Sequence, residues 1–254
     1  MKKNKVLLLG YSHIARKRVI KTFLNNDIQF SVASRSYKEK IRGCHHQYSD
    51  YDDALSNADA NIVYISLPNS LHFYWANKAL KMGYHVIVDK PICCKLSETK
   101  KLIQAAKRHK KLLSEAIFYN FHNQVKQVKK LLKNNKLNLI KVKFIIPFPH
   151  KNSILMSNKF KGGVIMDMGP YASSIHRIFF NKKIVSSKII IKKNKKGLPI
   201  LFDIKFNYKE ESYHGLFKFG GEYTNQVVFF TKNKILTINR VFSPPDDLSL
   251  NLNI

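Results

Sequence analysis

Three groups of residues in this chain have types and spacings suited to chemistry. The first is the turn Gly10-Tyr11-Ser12-His13-Ile14-Ala15, set between the apolar run Val6–Leu9 and a helical pattern. It is a relaxed form of the G-x-G-x-x-G/A fingerprint, with serine at the second glycine and alanine at the third. Gly10 permits a tight turn, Ser12 is small enough for backbone to approach a pyrophosphate, and Ala15 lets helix pack close on strand. His13 and Ile14 complete a helix mouth whose N–H groups and positive dipole end suit a phosphate. The second group closes the next strand: Ser34-Arg35-Ser36, with Lys38 nearby. A carboxylate there would hold a ribose 2′-hydroxyl. Serine, arginine and lysine suit a 2′-phosphate instead, so NADP is expected ahead of NAD. The third group is split along the chain. Asp89-Lys90-Pro91 ends a strand, where open α/β sheets place ligands. Asp167 and Tyr171, four residues apart behind Gly162-Gly163, share a face if their segment is helical. The glycine pair is expected to let backbone approach a substrate or nicotinamide.

The elements that must position these groups follow from the hydrophobic pattern. Val6–Leu9, Ile28–Ala33, Ile62–Leu67, Val86–Val88 and Leu112–Ala116 read as strands. Between them Ser12–Leu24, Asp53–Ala58, Ser70–Met82 and Ser97–His109 read as helices, with Gly83 as a stop and Ser97 as an N-cap. Alternation of this kind implies a parallel sheet of right-handed βαβ units. After about residue 117 the pattern changes. One helix, Val125–Leu132, precedes strand-like Ile140–Ile146, Ile184–Ile191, Ile200–Tyr208, Tyr213–Phe219, Asn225–Phe230 and Ile235–Asn239. The fold class is therefore α/β: an N-terminal doubly wound Rossmann domain (1–117), then an α+β domain on a mostly antiparallel sheet (118–254). The lysine run 192–196, ended by Gly197, reads as an exposed hairpin turn. The boundary carries no Pro- or Gly-rich linker, so close packing of the two domains is expected.

Two longer segments carry a family likeness. Val63-Tyr64-Ile65-Ser66-Leu67-Pro68-Asn69-Ser70-Leu71-His72, continued by Ala79-Leu80, Gly83-Tyr84-His85-Val86 and Asp89-Lys90-Pro91, resembles V-x-I-x-x-P-N-x-x-H … A-L-x-x-G-x-H-V-x-x-E-K-P. That segment belongs to the glucose–fructose oxidoreductase / inositol dehydrogenase family, and Asp89 stands where Glu is usual. Gly162-Gly163-Val164-Ile165-Met166-Asp167-Met168-Gly169-Pro170-Tyr171, with Arg177, resembles the family's G-G-x-x-x-D-x-G-x-[H/Y] … R. Glu115-Ala116 and His122 resemble E-A … R-[F/Y]-H-P, with Asn120 and Asn123 in place of Arg and Pro. Arg240-Val241-Phe242-Ser243-Pro244-Pro245 resembles a late family strand.

The resemblance implies hydride transfer between nicotinamide and a secondary alcohol or ketone of a sugar or sugar derivative. It makes Lys90 the catalytic lysine that polarises the reacting oxygen, and Tyr171 the group that moves the proton. Lys90 nearby would lower the tyrosine from its usual pKa of about 10. Asp167 would orient substrate or Lys90, or cap its helix. Leu67, Pro68, Asn69, His72, Asp89 and Lys90 would hold the cofactor's nicotinamide end, His72 by lining, supporting or capping. His122 would reach substrate together with Lys90, Asp167 and Tyr171. Family members run longer, so a short C-terminus and an affected homo-oligomer face on the second sheet are expected.

Composition bounds the alternatives. Cys44, Cys93 and Cys94 fit neither a disulfide framework nor a zinc spacing, and no metal is expected. No apolar run approaches a membrane helix or a signal peptide, so a cytoplasmic protein is expected. The formal net charge of +29 permits nucleic-acid binding. Lysines scattered along the whole chain, with few arginines, argue against it. Two readings stand against the enzyme: a non-catalytic nucleotide-binding relative that regulates a partner, and a basic nucleic-acid binder.

Overall fold

A computed structural model describes residues 4–133 and 135–244. Pro245, the end of the segment that resembles a late family strand, lies outside them. Backbone contacts divide the chain into two compact units, Met1–Ala116 and Ile117–Ile254.

The first unit is built on six parallel strands: β1 (Lys5–Leu9), β2 (Gln29–Ala33), β3 (Gln47–Tyr48), β4 (Ile62–Ile65), β5 (His85–Asp89) and β6 (Leu113–Ala116). Their spatial order is β3-β2-β1-β4-β5-β6, the doubly wound order of a dinucleotide-binding sheet. Strand residues alternate between two cores. Leu7, Leu9, Val63, Ile65, Val86 and Val88 face α2 (Tyr51–Asn57), α3 (His72–Lys81) and α4 (Leu96–Arg108). Val6, Leu8, Phe30 and Val32 face Ala15, Val19, Ile20 and Phe23 on the other side. A strand buried on both faces must read as a continuous apolar run, which is why β1 does. The first helix departs from the expected regular form. It runs as a π-helical segment, Ala15–Val19, into α1 (Ile20–Asn25). On the other face of the sheet, α2 is capped by Asp50, whose carboxylate accepts from the N–H groups of Asp52 and Asp53.

The second unit begins with α5 (Asn123–Leu132). Six strands follow: β7 (Leu137–Ile146), β8 (Ser186–Lys193), β9 (Pro199–Asn207), β10 (Ser212–Phe219), β11 (Thr224–Thr231) and β12 (Ile235–Asn239), with α6 (Val164–Ile175) between β7 and β8. The order is β12-β11-β7-β10-β9-β8; β7 and β10 run parallel and the other pairs antiparallel. Strict alternation on β10 and β11 puts Tyr213, Phe217, Phe219, Val227 and Phe229 into a core with Val164, Met168, Ala172 and Ile175 of α6. Three expectations are corrected here. The lysine run is not wholly a turn: β8 extends to Lys193, and the reversal is tied by Asn194, whose side chain accepts from Lys196 N and Leu198 N. Helix α4 starts at Leu96, so Ser97 is not its N-cap; Lys95 is, without a side-chain cap. Residues 240–243 form a turn beyond β12, with Arg240 at φ +56°, rather than a strand.

Candidate active site

The nucleotide turn is held by contacts that only these residue types allow. Gly10 has φ +95° and donates its N–H to Ala33 O at 2.9 Å. A Cβ there would stand 2.3 Å from Ser66 O, so no side chain fits. Ser12 starts the helix: its Oγ accepts from Ala15 N at 3.1 Å and its carbonyl from Arg16 N at 3.0 Å. Ala15 is fully buried against the sheet, while His13 and Ile14 are exposed at the helix mouth. That mouth carries N–H groups left over by helix geometry, the feature a pyrophosphate needs.

Beside it, β2 ends in a basic turn. Ser34 is buried, donates N–H to Tyr48 O at 2.9 Å and accepts from Tyr37 N at 3.2 Å. Arg35, Ser36 and Lys38 are exposed. The Arg35 guanidinium lies 5.1 Å from the centre of the Tyr51 ring. Across the turn Tyr11 packs on Tyr37 at 4.3 Å, and the Arg16 guanidinium lies 5.6 Å from the Tyr11 ring. Tyr11, Arg16 and Tyr51 did not stand out in the sequence. Tyr11 and Arg16 flank the first turn and Tyr51 opens α2, and the fold brings the two segments to one edge. These donors fit a nicotinamide dinucleotide that carries a 2′-phosphate.

The strand end that carries Lys90 is braced from three sides. The Lys90–Pro91 peptide bond is cis. His72 is fully buried; Nδ1 lies 2.7 Å from Pro91 O and Nε2 2.8 Å from Leu67 O. The structure thus gives His72 the supporting role, because both ring nitrogens are taken up by backbone. Glu115 accepts from Ile92 N at 2.9 Å. Asp89 accepts from Tyr64 Oη and from Ser66 Oγ, each at 2.5 Å, and Ser66 Oγ lies 2.7 Å from Ser12 Oγ. Burial and then the charge of Asp89 hold the Tyr64 phenol protonated, well above its ordinary range. In the sequence Tyr64 and Ser66 read only as strand and motif residues. Their two-residue spacing puts them on one face of the sheet, where Asp89 on the neighbouring strand meets them. Leu67 is buried; Pro68 and Asn69 lead into α3, with Leu71 N bonded to Pro68 O at 2.9 Å.

In the second unit, Gly162 and Gly163 pack against protein backbone. A Cβ on Gly162 would lie 2.4 Å from Leu155 O, and Gly163 N donates to that same carbonyl at 2.7 Å. Packing within the unit accounts for the glycines: the pair fits the 154–157 turn and launches α6. Asp167 sits in the first turn of α6, its N–H bonded to Gly163 O at 3.1 Å, and Tyr171 follows one turn later. The Tyr171 ring stacks on Phe242 at 4.7 Å and meets Phe144 and Tyr119 edge-on. Tyr119 Oη lies 2.6 Å from Ser174 Oγ, which donates to Tyr171 O at 2.9 Å. Burial raises the Tyr119 phenol. Phe242 is fixed by Asn225, whose side chain accepts from Phe242 N at 3.1 Å. His122 caps α5, with Nδ1 accepting from Gln124 N at 3.3 Å. His176 pairs with Tyr208 Oη at 2.7 Å; burial and then Arg177 lower the histidine, and burial pushes the tyrosine up to about 12.

Comparison with known proteins agrees with the motifs. Residues 5–117 match the sequence model of an oxidoreductase family with an NAD-binding Rossmann fold, the glucose–fructose oxidoreductase / inositol dehydrogenase family, and the N-terminal unit belongs to it. An uncharacterised oxidoreductase of Rhizobium meliloti is 27% identical over 68% of this chain and 55% of its own length. The dTDP-3,4-didehydro-2,6-dideoxy-alpha-D-glucose 3-reductase of Streptomyces violaceoruber is 25% identical over 93% of this chain and 72% of its own. This chain thus spans between about half and three quarters of those relatives' lengths. A 3-ketoreductase from Actinomadura kijaniata, solved in complex with NADP and TDP-benzene, superposes with a TM-score of 0.87 at 23% identity, over 96% of this chain and 78% of its own. That likeness shows a shared fold across both units.

Proposed function

We propose that this chain is an NADP-dependent oxidoreductase acting on a secondary alcohol or ketone of a sugar derivative. The observation that carries the reading is the Gly10 turn at the C-terminal edge of a β3-β2-β1-β4-β5-β6 sheet, with Ser34–Lys38 in place of a carboxylate beside it. Backbone N–H groups at the helix mouth would hold the pyrophosphate; Ser34, Arg35, Ser36 and Lys38 would hold the 2′-phosphate. When bound, the nicotinamide supplies or accepts a hydride at C4. The chain's own residues manage everything else. The Lys90 ammonium steadies negative charge on the reacting oxygen, and the Tyr171 hydroxyl gives or takes its proton. Asp167, a turn before Tyr171 on α6, orients the substrate. The relatives named above are oxidoreductases, which favours catalysis over a purely regulatory or nucleic-acid-binding role.

The substrate wall would come from the second unit, and self-association from the uncovered face of its sheet. That face presents Ile190, Leu216 and Val228 among lysines. No helix among the described residues is long and apolar enough to cross a membrane, and we place the protein in the cytoplasm. The test is a fluorescence titration with NADPH and NADH, then a screen of sugars and dTDP-linked keto-sugars that follows NADPH absorbance. A chain that binds neither dinucleotide would overturn the reading.

A further inference from the structure

Four polar groups form a continuous hydrogen-bonded chain behind the nucleotide turn. Ala15 N is 3.1 Å from Ser12 Oγ, Ser12 Oγ is 2.7 Å from Ser66 Oγ, and Ser66 Oγ is 2.5 Å from Asp89 Oδ2. The direction of every bond in it is fixed. A carboxylate only accepts, so Ser66 gives its single proton to Asp89. Ser66 must then accept from Ser12. Ser12 gives its proton to Ser66 and accepts from Ala15 N. Ser66 is 2% exposed, so water does not offer its hydroxyl another partner.

We propose that Ser66 is a positioning residue for the dinucleotide, because it turns the hydroxyl of Ser12 into the protein and leaves the turn's backbone N–H groups as the donors that face the pyrophosphate. The proposal rests on the functional reading above. Ser12 stands where the fingerprint calls for glycine, and glycine is used there so that backbone can approach the phosphates. A serine meets that need only if its side chain is held aside. Ser66 does so from the adjacent strand, and Asp89 makes the hold directional. Without Ser66, the Ser12 hydroxyl would lose its acceptor and be free to swing into the space through which the turn's backbone approaches the phosphates, and Asp89 would lose one of the two hydroxyls that spread its charge.

The test is a double-mutant cycle on the full chain, read by fluorescence titration with NADPH and by thermal denaturation without cofactor. Ser66→Ala should raise the NADPH dissociation constant about tenfold, the worth of one such hydrogen bond. Ser12→Gly removes the hydroxyl that Ser66 holds and serves as the second background of the cycle, its own dissociation constant being the reference for the variants made in it. In the Ser12→Gly background, Ser66→Ala should cost no more than about threefold, because there is no hydroxyl left to hold. Tyr64→Phe breaks the other bond to Asp89, keeps the Ser66–Ser12 bond, and should change affinity by less than about threefold. If Ser66→Ala does not fold, Ser66→Cys keeps the volume and weakens the chain in its place. An equal loss from Ser66→Ala with and without Ser12, or an unchanged dissociation constant, overturns the proposal. A loss in Tyr64→Phe as large as in Ser66→Ala also overturns it, by moving the effect to the carboxylate. Failure of the unaltered protein to bind NADPH or NADH would instead sink the functional reading.

Discussion

Arg35 is exposed, yet its guanidinium is braced 5.1 Å from the Tyr51 ring, so little side-chain freedom is left to lose on meeting a phosphate. Arg35→Ala should therefore raise the dissociation constant for NADPH by about tenfold to a hundredfold, the worth of a charge-assisted contact, and leave NADH nearly unchanged. Isothermal titration with both cofactors checks this; equal effects on the two would remove the 2′-phosphate assignment. The proton-transfer groups make a second residue-scale prediction. Tyr171→Phe keeps the ring stacked on Phe242 and removes only the hydroxyl. It should lower kcat by about 10²–10⁴-fold, the usual size of an acid–base contribution, with folding and cofactor affinity intact. Lys90→Ala should be at least as damaging, and the double variant no worse than the product of the two. Near-normal turnover in Tyr171→Phe would turn attention to Asp167 or His122.

Elements place those residues through a few backbone clamps. His72, at the start of α3, spans the carbonyls of Leu67 after β4 and Pro91 after β5. His72→Ala would remove a fully buried ring and the N–H it donates to one of these carbonyls, and should cost about 2–4 kcal/mol of stability. Urea denaturation measures it, and a loss below about 1 kcal/mol would mean that water or a shifted loop takes the place of the ring and its N–H. Much at this scale was legible in the sequence. Strands β1, β2 and β4 are buried on both faces, so they read as largely apolar runs within a residue or two of their observed ends. The two-residue strand Gln47–Tyr48 was not legible: it has no apolar run and exists only by pairing with Val32 and Ala33. Lys192 and Lys193 read as turn because they are lysines. They lie on an edge strand exposed on both sides, where lysine is tolerated. The site divided in the same way. Gly10, Ser12, Arg35, Lys90, Asp167 and Tyr171 stand out as candidates because each sits in a local motif. Tyr64 and Ser66 do not, because their partner is Asp89, more than twenty residues away, and only the β4–β5 register brings it to them. His72 and Glu115 were named by motif, but their task of gripping the backbone around Pro91 emerges only in three dimensions.

At the scale of the molecule, two units with separate cores carry an excess of positive charge that no single site absorbs. The net charge of +29 is spread over lysines from Lys2 to Lys234, so its field is broad and does not pick out one groove. A broad field cannot supply specificity, but it can raise the encounter rate of any anion, including a phosphorylated dinucleotide. Such steering acts over distances that salt screens, about 30 Å at 0.01 M and about 8 Å at 0.15 M ionic strength. Contacts made after docking, such as those proposed for Arg35 and the helix mouth, lie inside that range and are screened much less. The two effects separate kinetically. Stopped-flow binding of NADPH should show an association rate constant that falls about tenfold or more between roughly 0.01 and 0.3 M salt, while the dissociation rate changes far less. NADH, which lacks the 2′-phosphate, should show a shallower fall. An association rate indifferent to salt would mean that the charge is only a compositional trait with no part in cofactor capture. An oligonucleotide that displaced NADPH at about 0.15 M salt, where non-specific phosphate binding is already weak, would instead revive nucleic acid as the partner that the charge serves.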